Sequence, residues 1–194
     1  MKIIDARGET CPVPVIMMKK ALKGNAKENI KEIVDNELSK QNLEKMLTEM
    51  GLQFISYKEN QDYVVQVNLE GTDSAIPVAE TPKQDSVLVI SSDTMGRGED
   101  ELGRTLIKNF LYALNESDSL PTTILLYNTG VKLASEIPDT IADLKKLEEK
   151  GVKIFACGLC LNFFGLAEKL QVGTVTNMYA IVQMKLAAAK IIQL

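Results

Sequence analysis

One stretch of the 194-residue chain breaks the helical and strand-like periods on either side of it. Residues 71–85, GTDSAIPVAETPKQD, contain one glycine, two prolines and scattered polar side chains, a composition typical of an interdomain linker. The chain is 45% hydrophobic and 25% charged, so both flanking segments have apolar side chains for a core. We therefore expect two domains, residues 1–70 and 86–194, joined by this linker.

Apolar periodicity in the first domain predicts the element order βαβαββ. Strands are expected at 2–6, 31–35, 52–57 and 63–69, and helices from 12 to about 23 and from 39 to 50. The polar run Glu59-Asn60-Gln61-Asp62 predicts the turn of a closing hairpin. The expected fold is a two-layer α/β sandwich.

In the second domain, strand and helix patterns alternate. Strands are expected at 86–90, 122–127, 152–156 and 173–176, and helices at 102–114, 141–150, 163–170 and 179–189. The apolar run in SVLVI, from Ser86 to Ile90, is typical of a strand buried on both faces. This alternation predicts a doubly wound α/β domain with a mostly parallel sheet.

Charge and hydropathy argue against several classes of partner. The net charge is −4, and the basic residues are dispersed among acids, so we expect neither nucleic acid nor a membrane as partner. The start of the chain, MKIIDARGETC, lacks the apolar core of a signal peptide. The apolar segment from Met178 to Leu194 is interrupted by Lys185 and Lys190, which leaves it too short to span a bilayer. These features predict a cytoplasmic protein.

The chain contains no histidine and three cysteines. Without histidine, Ser-His-Asp and Cys-His catalysis are excluded, and chemistry falls largely to the thiols. An odd number of cysteines without a secretion signal disfavours a disulfide framework. A structural zinc ion needs about four ligands, more than these cysteines provide. We expect no metal and no cofactor.

Cys11 lies in the motif C-P-V-P, after a loop that contains Gly8 and directly before the first predicted helix. Pro12 and Pro14 are tolerated there because the first N–H groups of a helix have no partner within it. A thiolate at such a position meets those N–H groups and the positive end of the helix dipole, which can lower a cysteine pKa from about 8.5 to roughly 3.5–7.5. The motif predicts either a reactive thiol or an inert, half-buried cysteine.

Cys157 and Cys160 form a C-G-L-C motif directly after a predicted strand. Two residues between them allow the thiols to meet, since Gly158 frees the backbone to turn. The pair is interpreted as a redox dithiol, a persulfide-carrying pair or half of a zinc site, and the shortage of ligands disfavours zinc. The surrounding element order does not match a thioredoxin domain.

Ligands of a doubly wound sheet bind beyond the carboxyl ends of its strands. The sequence therefore predicts a ligand edge that carries the cysteine pair and polar residues from neighbouring loops. These residues are Ser91, Ser92, Asp93, Arg97, Asn128, Gly130, Asn162, Thr176 and Asn177. The alternative is that small polar residues serve only the turns at this edge.

Two family resemblances follow from these motifs. Asp5-Ala6-Arg7-Gly8 followed by C-P-V-P resembles the TusA-like (SirA-like) sulfur carriers over residues 1 to about 70. This resemblance implies that Cys11 is the persulfide-bearing cysteine, supported by Asp5, Arg7 and Gly8. The run ACGLCLNFFGL is similar to DsrE-like sulfur-relay domains, and the fusion of both resembles the YedF proteins, which are linked to selenium metabolism.

The resulting hypothesis is a sulfur or selenium relay in which Cys11 accepts the chalcogen and Cys157 or Cys160 receives or releases it. Its partners would be a donor enzyme of the cysteine desulfurase type and an acceptor protein. The DsrE-like resemblance also implies a homo-oligomer through the C-terminal domain. Two other functions remain open, namely a ligand-binding or redox-sensing regulatory module and a thiol–disulfide oxidoreductase.

Overall fold

A computed structural model describes residues 1–24, 28–69 and 85–194 of the protein. The chain divides into two compact units, Met1–Glu80 and Thr81–Leu194. The predicted linker, residues 71–85, lies outside the described residues except for Asp85.

The N-terminal unit has the predicted order βαβαββ. Its elements are β1 (Lys2–Asp5), α1 (Val13–Gly24), β2 (Ile30–Val34), α2 (Glu37–Glu49), β3 (Phe54–Glu59) and β4 (Asp62–Val67). The sheet order is β1-β2-β4-β3, with β1 parallel to β2 and the other neighbours antiparallel. Apolar side chains of both helices pack with those of the sheet in one core, so the predicted two-layer sandwich is confirmed.

Helix boundaries in this unit follow from local chemistry. Asn36 caps α2 by accepting the backbone N–H of Ser39 at 2.8 Å, which satisfies a donor that has no partner within the helix. Gly51 follows the helix with φ of +68°, a conformation that glycine adopts without steric cost. The stop predicted at Gly51 is therefore confirmed.

The core of the N-terminal unit contains one carboxyl group. The residues of β2 alternate, with Ile30, Glu32 and Val34 buried, which places Glu32 on the face that packs against the helices. Glu32 is 0% exposed, and neither of its carboxylate oxygens has a hydrogen-bond partner among the described residues. Burial raises its pKa to about 8, so this side chain is a neutral acid at pH 7.

The C-terminal unit is a parallel sheet covered on both faces. Its strands are β5 (Ser86–Ile90), β6 (Thr123–Leu126), β7 (Lys153–Cys157), β8 (Thr174–Thr176) and β9 (Lys190–Gln193). Its helices are α3 (Asp100–Asn115), α4 (Pro138–Glu149), α5 (Gly158–Phe163) and α6 (Met178–Ala187), with 3-10 helices at Asn128–Ala134 and Ala167–Lys169. The sheet order is β8-β7-β6-β5-β9, and every neighbouring pair is parallel.

Two cores lie on opposite faces of this sheet. Side chains of α3, α4 and α5 pack against one set of strand residues, whereas Ile181 and Met184 of α6 pack against the other, around Val87, Val89 and Leu125. Strand residues that are buried on both faces require helices on both sides. The predicted doubly wound α/β fold is confirmed.

Three local predictions differ from the structure. The helix expected at 163–170 is wrong, because the helix starts at Gly158 and the chain turns at Gly165, where φ is +67°. The helix expected to run to residue 189 ends at Ala187, and the following residues form β9, which pairs with β5. The 3-10 helix after β6 was not predicted. Short segments of this kind are fixed by contacts distant in sequence rather than by their own period.

Among the described residues, no helix combines the length and hydropathy that crossing a bilayer would require.

Candidate functional sites

Cys11 is an exposed residue just before α1. The carbonyl of Pro12 accepts the N–H of Ile16 at 3.2 Å, which places Pro12 at the N-cap and Cys11 one residue outside the helix. The N–H of Val13 donates to the carbonyl of Thr10 at 2.9 Å. The C-P-V-P motif thus starts the helix and leaves the thiol accessible.

An ion-pair cluster shapes the loop before Cys11. Arg7 donates from Nε to Asp5 Oδ1 at 2.9 Å and from Nη2 to Asp5 Oδ2 at 2.6 Å, a bidentate pair, and Nη1 donates to Asp62 Oδ2 at 3.3 Å. These hydrogen bonds hold the pKa of Asp5 at about 2 and raise that of Arg7. The guanidinium therefore links β1 to the start of β4.

The same loop is anchored to the end of β2. Gly8 has φ of +78° and donates its N–H to Asp35 Oδ2 at 2.7 Å, a bond that lowers the pKa of Asp35. The fully buried Ala6 donates its N–H to the carbonyl of Ile33 at 2.9 Å. The bonds made by Arg7 and Gly8 therefore tie the loop that precedes Cys11 to Asp5, Asp35 and Asp62.

The second thiol site lies where β7 meets α5. Cys157 ends β7 and is 1% exposed, whereas Cys160 lies within α5 and is half-buried. Cys160 packs against the buried cluster that contains Cys157, so the C-G-L-C motif brings the two thiols close together. A Cβ on Gly158 would lie 2.9 Å from Cγ1 of Val175 in β8, which explains why glycine occupies position 158.

Cys160 has one further contact, across the sheet edge. Its Sγ accepts the backbone N–H of Asn128, the second residue after β6, at 3.1 Å. Burial raises the pKa of Cys160, the Asn128 N–H opposes that change, and the neighbouring Cys157 adds to it. The net effect is a raised pKa, so Cys160 is mostly a neutral thiol at pH 7.

A group of hydroxyl side chains ties the loops after β5 and β6. Thr129 Oγ1 accepts the N–H of Asp93 at 3.2 Å and donates to Ser92 Oγ at 3.4 Å, and Ser92 Oγ lies 2.9 Å from Thr94 Oγ1. A Cβ on Gly130 would lie 2.3 Å from the carbonyl oxygen of Ile90. The two loops are therefore packed closely together.

The predicted ligand edge is only partly assembled. Asn128 joins the cysteine pair, whereas Ser92, Asp93 and Gly130 belong to the neighbouring loop contact. Two of the remaining residues make other contacts: Ser91 donates to the carbonyl of Leu194 at 3.2 Å, and Asn177 caps α6. Arg97 and Asn162 are exposed, and Thr176 is the last residue of β8. Two cavities of about 290 and 250 Å³ lie at the opposite, amino ends of the strands, and neither is lined by a cysteine.

Sequence reasoning missed two residues. Thr129 lies between Asn128 and Gly130, both of which were selected, and its hydroxyl joins the two loops. Glu32 has a readable signal, because the alternation in IKEIV puts it on the same face as Ile30 and Val34. A carboxyl residue that shares one face of a strand with apolar residues is therefore predicted to be buried.

Exposed apolar side chains lie on α5, β8 and α6, and Lys132 Nζ lies 5.1 Å from the centroid of the Phe164 ring. Residues 157–167 and 170–184 contain no charged side chain. Large apolar side chains there are exposed, namely Leu159, Phe163, Val175, Met178, Tyr179 and Val182. Phe163 is 81% exposed and stands edge-on against Phe164 at 5.0 Å between ring centroids. An exposed apolar patch of this kind marks a contact surface.

Comparison with known families finds two matches in the chain. Residues 2–69 match the family described as sulfurtransferase TusA, and residues 88–194 match the DsrE/DsrF-like family. A curated relative, Uncharacterized protein MJ0760 of Methanocaldococcus jannaschii, is 25% identical over 181 residues. That alignment covers 87% of this chain and 63% of the relative, so the chain spans less than two thirds of the relative's length.

Solved structures resemble each half separately. A SirA-like protein from Desulfitobacterium hafniense is 44% identical, with 34% of this chain and 95% of that chain covered and a TM-score of 0.33. The ychN protein from E. coli is 19% identical, with 57% of this chain and 99% of that chain covered and a TM-score of 0.44.

Proposed function

Because this chain belongs to the DsrE/DsrF-like family and carries a TusA domain ahead of that match, we propose that it relays sulfur or selenium from Cys11 to the Cys157–Cys160 pair. Both families indicate a sulfur-relay or sulfurtransferase-like role in which other proteins take part. The observation that carries the proposal is that two thiols of unequal exposure pack in one cluster. Such a pair supplies an accepting thiol and a resolving thiol.

The first step loads Cys11. A donor enzyme of the cysteine desulfurase type presents a persulfide, and the thiolate of Cys11 attacks its outer sulfur. A new S–S bond forms on Cys11, and the donor cysteine leaves as a thiolate with the electron pair of the broken bond. The exposure of Cys11 supports this role, because a protein-bound persulfide must reach the attacking thiol.

The second step moves the sulfur to Cys160, the more exposed thiol of the pair. Its thiolate attacks the outer sulfur of the Cys11 persulfide, and Cys11 leaves as a thiolate.

The third step releases the sulfur. The thiolate of Cys157 attacks Cys160 Sγ, the Cys157–Cys160 disulfide forms, and hydrosulfide leaves with the electron pair. With selenium the leaving group is hydroselenide.

The cycle closes by reduction or by onward transfer. A dithiol reductant converts the Cys157–Cys160 disulfide back to two thiols and becomes a disulfide itself. Alternatively, a thiol of the acceptor protein attacks the outer sulfur on Cys160 before Cys157 does, and the pair then stays reduced. Neither route requires histidine, a metal or a cofactor.

The loading step is tested by incubation with a cysteine desulfurase and cysteine, followed by peptide mass mapping. We expect the wild-type protein to gain the mass of one sulfur atom at Cys11 and the Cys11→Ser variant to gain none at any cysteine. The Cys160→Ser variant is the matched control and is expected to load at the wild-type rate. Loading of Cys11→Ser at the pair would contradict the order of the relay.

We also propose that this chain associates with a second copy through exposed apolar side chains of α5, β8 and α6, in an arrangement that leaves Cys160 accessible. Residues 157–167 and 170–184 contribute no charged side chain of their own, and Phe163 among them is 81% exposed. Exposed apolar side chains are typical of homodimer interfaces, which are more apolar than the rest of a protein surface. This assignment agrees with the oligomer implied by the DsrE-like resemblance.

Light scattering during size-exclusion chromatography tests this contact. We expect the wild-type protein to form an oligomer and Phe163→Glu to shift it toward the monomer, because a buried carboxylate without a partner disfavours association. Leu38→Glu is the control, since Leu38 is 62% exposed in the N-terminal unit. A monomeric wild-type protein would contradict self-association and leave the surface to a donor or acceptor protein.

A further inference from the structure

The segment that follows β6 is held in an unusual backbone conformation beside Cys160. Asn128 has φ of +51°, in the left-handed region that side chains other than glycine rarely adopt. Asparagine is among the residues that tolerate this region best. A residue keeps such a strained conformation only where the surrounding contacts hold it.

Neighbouring contacts hold this segment on both sides. The N–H of Tyr127 donates to the carbonyl of Ile90 at 3.3 Å, and the N–H of Gly130 donates to the carbonyl of Tyr127 at 3.1 Å. Thr129 bonds to the loop after β5. The position of the Asn128 N–H is therefore fixed by the sheet rather than by Cys160 itself.

That N–H donates to Cys160 Sγ at 3.1 Å. Cys160 is half-buried and packs against the cluster that contains Cys157. A sulfur that loses its proton in this environment gains little from water and needs a fixed donor. Among the contacts of this thiol, the Asn128 N–H is the one that favours the anion.

We propose that Asn128 is a positioning residue that acts through its backbone, whose N–H stabilises negative charge on the sulfur of Cys160. This inference deepens the proposed relay and rests on it for its biological role. In the second step the N–H stabilises the attacking thiolate. In the third step it lies against the sulfur at which the Cys157–Cys160 bond forms and from which hydrosulfide leaves. No atom is transferred to or from Asn128.

The proposal separates the backbone of Asn128 from its side chain. Asn128→Gly keeps the N–H and suits the left-handed conformation, whereas Asn128→Val keeps the N–H but disfavours that conformation because of its branched Cβ. Replacing the amide between Tyr127 and Asn128 by an ester removes the N–H and leaves the side chain unchanged. These three variants distinguish an effect of the donor from an effect of the amide side chain.

The test is the pH profile of Cys160 alkylation by iodoacetamide, with each cysteine followed by peptide mapping. We expect the ester variant to alkylate Cys160 about tenfold more slowly at a given pH below the pKa, since a hydrogen bond to a charged group contributes about 1.4 kcal/mol or more. Asn128→Val is expected to slow alkylation in the same direction, and glycine at this position to rescue it. An unchanged profile in the ester variant would overturn the proposal.

Two controls keep the result interpretable. The alkylation rate of Cys11 and the midpoint of urea unfolding report whether a variant retains its fold, and a misfolded ester variant leaves the comparison of Asn128→Val with Asn128→Gly as the test. If valine and glycine give the same profile, the proposal is wrong. The alkylation assay uses no persulfide, so a failure of the relay would appear in the loading and transfer assays alone.

Discussion

The N-terminal unit is expected to lose stability as the pH rises from about 4.5 to about 8, and Glu32→Leu is expected to abolish that loss. The unfolded chain ionises Glu32 near its ordinary pKa of 4.5, whereas the folded unit holds the proton until about pH 8. Below the lower pKa both states are protonated and the fold has its full stability. Between the two values only the unfolded state gives up its proton, so the free energy of unfolding falls.

The size of this effect follows from the pKa difference. Each unit of pKa difference corresponds to about 1.4 kcal/mol, so the shift from 4.5 to about 8 implies a loss of at most about 5 kcal/mol above pH 8. The physical cause is burial, because Glu32 is 0% exposed and its strand neighbours are Ile4 and Val65. Leucine fills a similar volume without a polar group.

Urea unfolding of the full chain, followed by the methyl NMR signals of Val65 and Val67, measures this unit separately from the other. The urea midpoint of the wild-type protein should decrease as the pH rises from 5 to 8 and stay constant above pH 8. The midpoint of Glu32→Leu should change little with pH and be higher than that of the wild type at pH 8. Glu49→Gln, at an exposed position of α2, should keep the wild-type slope. A parallel pH dependence in wild type and Glu32→Leu would show that Glu32 is not the buried acid responsible.

The strength of the sequence patterns explains which elements could be predicted. Ser86–Ile90 is a strand with the predicted ends because a central parallel strand leaves a nearly unbroken apolar run. α2 was predictable from its period and from Gly51. β9 was missed because Lys190–Gln193 is short, follows a helix, and becomes a strand only by pairing with β5.

The candidate site was also predictable only in part. Motifs identify Cys11 and the C-G-L-C pair, and the rule for strand ends brings Asn128 to the same edge as Cys160. The sequence predicted Asn128 as a polar residue of the ligand edge, whereas its contact with Cys160 is made by the backbone N–H. The direction of a backbone N–H depends on the φ and ψ angles along the segment, and residue types alone do not determine those angles.

The largest effect on the relay is expected from Cys157→Ser. In this variant the sulfur reaches Cys160 but no neighbouring thiol attacks it, so a persulfide accumulates on Cys160 and hydrosulfide release nearly stops in the absence of added thiol. Cys160→Ser should instead leave the sulfur on Cys11. Peptide mapping after alkylation distinguishes the two results. Equal release by both variants and wild type would remove the pair from the pathway and favour a redox-sensing role.

The raised pKa of Cys160 adds a pH dependence to this transfer. Its thiolate fraction keeps rising as the pH passes the ordinary pKa of about 9, so transfer from Cys11 to Cys160 should accelerate through that range.

A single-turnover time course on the wild-type protein tests the relay most directly. The protein is loaded at Cys11 by a cysteine desulfurase, separated from the donor, and quenched with an alkylating reagent at intervals for peptide mapping. The relay predicts that the extra sulfur leaves Cys11, passes through Cys160, and appears as hydrosulfide in the same amount as the Cys157–Cys160 disulfide. Sulfur that remains on Cys11 until an external thiol is added, with both Cys157 and Cys160 unchanged, would contradict it.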